Sequence, residues 1–428
     1  MTITMLAAVA VLLSVPGARA ETLYENVMDL VKNHKQIKAK EAELTATQER
    51  LKAAWGDWYP TLDITGSWGR EKQNKDYGTD DTEEVPREVD IKVTQMVWDF
   101  GAIDAAIRRS LLGVERARTE LILRRQALIL QGVETYLNLI KAKKVLGFAA
   151  GSVANIKRQA ELEDARVQRG SGFTTDVLQA KTQLAGAQAR RNNFADEFQK
   201  AQNVYRRVFQ KEPVKVEDLE IPRTPFELLP KTVEELVQIT HETNPALKSS
   251  RLLAAINRET VKETRADEFF PTLMAIAETK HKTDVGGTIG ESSEQIFKLE
   301  LTYSLNLGLT QINTLKAAKQ DHLSLAITHA DDRDAAEQDA RNLWSELEKN
   351  RLNAGFLKNQ ANIAAEFLEL ARRERQLGNR SLIDVLAGET ALINANSDAT
   401  ARETDVVISV FQIIAIMGQL ETDVLKIQ

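Results

Sequence analysis

The sequence predicts a mainly α-helical fold with a membrane β-barrel portion, in which two similar halves follow one another along the chain. Three observations point to it. Two proline-free stretches of helix-forming residues are longer than a compact domain, apolar and polar residues alternate in four segments, and the same landmarks recur in both halves. Together they indicate a long, coiled-coil-like helical barrel, four β-strands and an internal tandem duplication.

The composition is that of a folded protein that does not bind nucleic acid. The 428 residues are 43% hydrophobic and 28% charged, which is enough to bury a sizeable core. The formal net charge is −6, and Lys and Arg are scattered, so no basic patch for DNA or RNA is expected. Cysteine is absent, which excludes disulfides, thiolate metal sites and cysteine nucleophiles.

Residues 1–20 are predicted to be a secretory signal peptide. An apolar run from Met5 to Val15 is followed by Ala18-Arg19-Ala20, which is typical of a cleavage site before Glu21. The protein is therefore expected to leave the cytoplasm. No later segment has the roughly 18 to 20 consecutive apolar residues of a membrane-spanning helix, so any membrane crossing must use β-strands.

Proline marks the boundary between the two halves, because it interrupts helices. Four prolines crowd residues 213–231, which separate a first repeat at 21–212 from a second at 232–428. Asn33 and Pro60 in the first half have the same 27-residue separation as Asn244 and Pro271 in the second. Further along, an Asp-Val-Leu sequence lies six residues after a glycine in each half, at Gly170 and at Gly378. Two landmarks in the same order favour duplication.

Each half is predicted to contain the same elements in the same order. A helix, at Leu23–Trp58 in the first half, leads to a strand, a polar loop (Glu71–Glu88 in the first half), a second strand, a long helix, a sharp turn and a return helix. The first half places them at 61–70, 89–99, 102–168 and 174–210; the second at 272–281, 296–307, 310–376 and 381–425. At 1.5 Å per residue, each long helix would be about 100 Å in length.

The pattern of the four strands predicts that several copies of the protein assemble in a membrane. Leu62, Ile64 and Trp68 alternate with polar residues, as do the apolar residues from Phe297 to Leu307. Four strands of about ten residues can cross a bilayer but cannot close a barrel, whereas three copies would supply twelve. Most tryptophans fall near these strands, as in the aromatic belts of membrane proteins: Trp55, Trp58, Trp68 and Trp98.

This arrangement resembles the TolC family of outer-membrane efflux proteins. The resemblance covers the mature chain and rests on the order of its elements, on the Tyr-Pro-Thr-Leu and Phe-Pro-Thr-Leu sequences before the strands, and on the Gly-x5-Asp-Val-Leu turns. It implies a homotrimer with a barrel among outer-membrane lipids and a tunnel through the periplasm. The expected partners are a periplasmic adaptor protein and an inner-membrane ABC or proton-driven transporter; no cofactor is expected.

The resemblance also implies a periplasmic gate near the two helical turns. Thr175 and Asp176 match one side of a polar lock, and Arg380 matches its cationic partner. Arg375 stands where the family's best-known member has tyrosine, and it could make a second link to Asp176. Asp384 matches an acidic constriction formed by three symmetry-related carboxylates.

The turns themselves are candidates for adaptor docking. Gly170, Gly172 and Gly378 lie in them, and Gly170 and Gly378 are natural left-handed residues after helix ends. A purely structural turn is the alternative for each glycine.

Enzyme chemistry is not expected. The five histidines form no metal-spaced cluster, and the sequence has neither a phosphate-binding loop nor a nucleophile elbow. The remaining alternative is a periplasmic coiled-coil scaffold or adaptor without a pore. Cargo stays open between proteins and small molecules; residues 204–209 are similar to secretion-type members of the family.

Overall fold

A computed structural model of the chain describes residues 22–74, 81–213, 219 and 221–426. The predicted signal peptide at residues 1–20 lies outside the described residues. So do Gly78 of the polar loop and most of residues 214–220 in the proline-rich segment between the halves.

The first half begins with two short helices and ends with two long ones. Its elements are α1 (Leu23–Asn33), α2 (Lys35–Gly56), β1 (Thr61–Trp68), β2 (Glu71–Gln73), β3 (Thr82–Glu84), β4 (Arg87–Trp98), α3 (Ala102–Gln168) and α4 (Thr174–Phe209). The region predicted as a polar loop thus contains β2 and β3, which pair as a short antiparallel ladder.

The second half has nearly the same order. A short 3₁₀ turn at Phe226–Leu228 precedes α5 (Val233–Thr243), α6 (Pro245–Phe269), β5 (Thr272–Thr283), β6 (Glu291–Thr302), α7 (Thr310–Gln376) and α8 (Leu382–Ile416). Helices α3 and α7 have 67 residues each, and the return helices α4 and α8 have 36 and 35. The two halves therefore have matching long helices, as a duplicated chain should.

The helix predicted from Leu23 to Trp58 is broken at His34. The His34 backbone is extended, with ψ of 135°, and its ring Nδ1 accepts a hydrogen bond from the Gln36 N–H at 3.3 Å. In the second half Asn244 makes the same break, and its side chain accepts from the N–H groups of Ala246 and Leu247. The prediction of one continuous helix was wrong, because a side-chain cap starts a second helix at each break.

The four longer strands form one antiparallel sheet in the order β1-β4-β5-β6. Alternate residues point to opposite faces. One face is apolar and uncovered in the single chain; Leu62, Ile64, Phe297, Leu299 and Leu301 on it are each more than 60% exposed. The other face is lined by charged residues in register, with Lys92 between Asp63 and Glu278, and Lys280 between Asp90 and Glu294.

Strand β6 differs from its predicted bounds at both ends. It begins at Glu291, earlier than expected, and ends at Thr302, although apolar residues continue to alternate up to Leu307. Thr302 pairs with Thr272, the first residue of β5, and Pro271 and a helix precede that residue. The pairing stops where the neighbouring strand begins, so alternation alone overestimated the strand.

The hydrophobic core lies midway along the helical body. It joins α1, α3, α4, α5, α7 and α8 through buried residues such as Tyr136, Tyr205, Leu236, Leu347 and Phe411. Towards the turns, alanines of α3 and α4, such as Ala160 and Ala180, pack with Leu382 and Leu386 of α8. The return helix α8 ends at Ile416 rather than near residue 425, and a 3₁₀ turn at Thr422–Lys426 follows.

Within the described part of the chain, no helix is both long and apolar enough to cross a bilayer.

Candidate functional site

Two glycine turns lie at the end of the helical body that is distant from the sheet. In the first, Gly170 has φ of 76°, its N–H donates to the Val167 carbonyl, and Ser171 N–H donates to the Arg166 carbonyl. In the second, Gly378 has φ of 81°, its N–H donates to the Arg375 carbonyl, and Asn379 N–H donates to the Glu374 carbonyl. Both are Schellman turns, in which a left-handed residue lets the chain reverse sharply after a long helix.

A buried ionic link joins the two halves beside these turns. The Arg375 guanidinium on α7 donates to Glu163 on α3 at 3.0 Å and to Asp176 on α4 at 3.1 Å. The Glu163 side chain is 2% exposed and that of Arg375 is 19% exposed. The contact between Arg375 and Asp176 expected from the sequence is thus present. A charge-assisted bond shielded from water is stronger than an exposed one.

A second buried carboxylate lies slightly further from the turns along the helices. Glu389 on α8 is 2% exposed, and it accepts hydrogen bonds from Arg372 on α7 and, at 3.5 Å, from Asn155 on α3. Each of the two carboxylates therefore contacts an arginine of α7. The two links fix α7 to α3, α4 and α8 near the turns.

Arg380 is held within its own turn. It donates to Glu374 at 2.7 Å, lies 3.5 Å from the Asp384 carboxylate, and stacks over the Phe367 ring at 4.9 Å. The hydrogen bond to Glu374 is the main cause that raises the pKa of Arg380 above its ordinary value. Within one chain, the predicted lock between Arg380 and Asp176 is not formed, because Glu374 and Asp384 engage Arg380 and Arg375 bonds Asp176.

Thr175 and Asp384 are both accessible at this end. Thr175 is exposed and makes no side-chain hydrogen bond to any residue that the structure describes. The side chain of Asp384 is 47% exposed, and Ser381 caps the N–H of Asp384 at the start of α8. The structure places Asp384 beside Arg380 and leaves Thr175 without a side-chain partner among the described residues.

The turns present apolar side chains to solvent. Phe173, beside Gly172, and Leu377, beside Gly378, are each 76% exposed. A side chain at Gly172 would approach the Val167 nitrogen to 3.0 Å, so only glycine fits there without a shift. Exposed aromatic and aliphatic residues on a tight turn are typical of a protein contact.

Sequence reasoning missed Glu163, Glu389 and Arg372. The sequence does contain a pattern that marks the two carboxylates as buried. Glu163 continues a row of buried α3 residues at spacings of three and four, and Glu389 does the same on α8: Ser152, Ile156 and Ala160 precede Glu163, and Leu382, Leu386 and Ile393 accompany Glu389. A carboxylate in an otherwise apolar row predicts a buried ionic partner.

Comparison with known proteins gives matches along almost the whole chain. The family described as "Outer membrane efflux protein" matches residues 27–207. Outer membrane efflux protein BepC of Brucella suis is 23% identical over 96% of the chain and 88% of its own length. Outer membrane protein TolC of Vibrio cholerae is 23% identical over 95% of the chain and 93% of its own length.

The chain is thus similar to outer membrane efflux proteins, and the match to the family model lies in its first half. Its fold matches that of the Campylobacter jejuni CmeC outer membrane channel, with a TM-score of 0.81 at 16% identity, over 94% of the chain and 87% of CmeC. The predicted fold class is confirmed: long helices dominate, and four antiparallel strands form the sheet. The relatives and solved structures that match are outer-membrane efflux and channel proteins, which agrees with the prediction of an outer-membrane export channel that is not an enzyme.

Proposed function

We propose that three copies of the chain form a passive exit duct from the periplasm to the exterior. The observation that carries this proposal is the four-stranded sheet, which has one uncovered apolar face and pairs β1 and β6 on one side only. Open strand edges are not stable in hydrocarbon. Twelve strands from three copies close the ring, put the apolar face against lipid and line the pore with the charged face.

The periplasmic end of this duct is gated by the residues around the two turns. In one chain Arg375 bridges Asp176 and Glu163, which fixes the inner end of α7 against α3 and α4. Arg380 braces the second turn through Glu374 and Asp384. Three copies of Asp384 form an acidic ring that attracts cations. Thr175, exposed on the neighbouring turn, lies at the contact with the next copy.

The turns dock a periplasmic adaptor protein. Gly170, Gly172 and Gly378 give each turn its shape, and the exposed Phe173 and Leu377 supply apolar contact area. The adaptor joins the duct to an inner-membrane ABC or proton-driven transporter. That transporter selects the cargo, because a wide, water-filled duct discriminates weakly between solutes.

Both protein secretion and small-molecule efflux are compatible with this duct. The segment 204–209, which is similar to secretion-type members, does not decide between them. Tyr205 and Phe209 in it are buried, with their rings 4.5 Å apart, so that the segment serves the core. Deleting the gene and measuring both secreted protein and antibiotic susceptibility assigns the cargo.

Planar-bilayer recording of the purified protein tests the duct. A trimer that inserts and conducts is the expected result. The alternative, a periplasmic scaffold without a pore, predicts release from cells without detergent and no conductance. If correctly assembled trimer gives no conductance and the protein is released into the periplasmic fraction, the scaffold explains the results and the duct does not.

A further inference from the structure

A small cavity lies between the two halves just above the turns. Its volume is about 230 Å³, several times the ~30 Å³ that one water molecule occupies in the liquid. Helix α3 contributes Arg158 and Arg166 to its lining, and helix α7 contributes Arg372 and Arg375. Glu163 on α3 also lines it, so guanidinium groups outnumber carboxylates in the lining.

The carboxylates nearby do not balance these arginines. Glu163 bonds Arg166 and Arg375, Glu389 bonds Arg372, and Asp176 bonds Arg375. Four guanidinium groups thus meet three carboxylates. Arg158 makes no hydrogen bond or ion pair with any residue in the described part of the chain. One positive charge at the cavity therefore has no counterpart among the residues that the structure describes.

The hydrogen-bonding capacity of the arginines is also unfilled. The Nε–H groups of Arg372 and Arg375 are both buried, and neither has an acceptor among the described residues. Leaving a buried donor unsatisfied costs about 1–3 kcal/mol, and more when the group is charged. Both donors belong to arginines that line the cavity, and an anion bound there would supply acceptors for them.

We propose that this cavity binds a small inorganic oxyanion, with phosphate or sulfate as the free forms. The planar guanidinium fork matches the oxygens of such an anion, and several arginines around one site are the usual way that proteins bind it. The anion supplies the missing negative charge and the acceptors for the two Nε–H groups.

The bound anion would join α3 to α7 at the point where Arg375 already bridges the two halves. Because it bonds arginines from both helices, it stabilises the arrangement in which they are packed together. If the proposed gate lies at these turns, the anion favours its closed state. Only this last step rests on the proposed function; binding itself does not.

Binding is measured on the purified trimer by equilibrium dialysis with labelled inorganic phosphate and by thermal unfolding. Saturable binding of one phosphate per chain is expected. We also expect a Tm that rises with phosphate but not with chloride at the same ionic strength. Sulfate should compete. Arg158→Gln removes an exposed arginine that bonds nothing else, so the trimer should assemble and bind at least tenfold more weakly.

The matched control is Lys157→Gln on the same turn of α3. Lys157 is exposed and does not line the cavity, so its loss removes the same charge and should leave phosphate binding unchanged. No saturable binding, or equal loss in both variants, would overturn the site. Phosphate that binds without lowering conductance would instead refute the coupling to the gate.

Discussion

Arg375 is the residue through which the two helical hairpins are joined near their turns. It bonds one carboxylate from α3 and one from α4, and its own turn holds it through a bond to the Arg380 carbonyl at 3.3 Å. Among the described residues, Arg380 bonds only residues of the second hairpin. The two arginines therefore have different tasks, although they lie five residues apart.

Replacing Arg375 by alanine should loosen the gate more than replacing Arg380. Arg375→Ala leaves Glu163 buried with only Arg166 as a partner, which costs on the order of 1–3 kcal/mol in the packing of α7. Single-channel conductance and antibiotic leakage should rise clearly in Arg375→Ala and less in Arg380→Ala.

Arg373→Ala is the control for this comparison. Its side chain is 70% exposed and pairs only with Glu369 of the same helix, so its loss should leave conductance unchanged. A larger effect from Arg380→Ala than from Arg375→Ala would mean that the lock forms between copies of the chain.

The partners of these arginines could be predicted from the sequence only in part. Arg375 and Asp176 could be matched because each lies at a fixed distance from a turn glycine. Glu163 is 212 residues from Arg375, and only the packing of α3 against α7 brings the two together. No local pattern encodes such a contact, although the apolar row in which Glu163 lies does mark it as buried.

At the scale of elements, the two helix breaks serve the same purpose with different chemistry. His34 and Asn244 each cap the following helix with a side-chain acceptor. Asparagine accepts at any pH, whereas the His34 ring accepts only while its Nδ1 is unprotonated. Burial, and then the charges of Arg124 and Lys35, lower the pKa of His34 below its ordinary value.

His34→Asn should remove a pH dependence from the stability of the trimer. Because the pKa of His34 is lower in the folded chain, the unfolded chain binds the proton more readily. The contribution of the cap is therefore complete above the unfolded pKa of about 6.5 and declines as the pH falls below it. The loss is bounded by the roughly 1 kcal/mol of a helix cap.

Thermal unfolding between pH 5 and pH 8 checks this expectation. The wild type should lose stability towards pH 5 more steeply than His34→Asn, and the two should be nearly equal at pH 8. His34→Ala, which lacks the acceptor at every pH, serves as control and should be less stable throughout. Parallel curves for wild type and His34→Asn would contradict a role for this histidine.

The bounds of the elements could be predicted wherever proline or glycine marks a helix end. The sequence indicates α3 and α7 because Gly170 and Gly378 follow their last turns and no proline interrupts them. The end of β6 could not be found in the same way. β6 ends opposite the first residue of β5, and that limit comes from the neighbouring strand rather than from the alternation within β6.

At the scale of the whole molecule, the two faces of the sheet require different surroundings. Leu299 lies on the apolar face and is 71% exposed, while Ile296 on the same strand lies on the charged face opposite Glu278. In the proposed ring the first contacts lipid and the second lines the pore.

An arginine substitution should therefore reduce trimer assembly on the apolar face but not on the charged face. Arginine on a lipid-facing strand costs about 2–4 kcal/mol near the bilayer midplane, whereas pore-facing positions tolerate it. Leu299→Arg should reduce the amount of trimer in the outer-membrane fraction, and Ile296→Arg should leave it near the wild-type amount. Equal amounts of trimer from both variants would show that the apolar face does not contact lipid.

The unpaired edges of β1 and β6 have a genetic consequence. The edges belong to opposite halves of the chain, so each copy must join one neighbour through its first half and the other through its second. A chain with one blocked edge can still enter a ring through its intact edge, but the ring cannot close. Such an allele should be dominant over wild type, and the yield of functional channels should fall as the cube of the wild-type share of the chains.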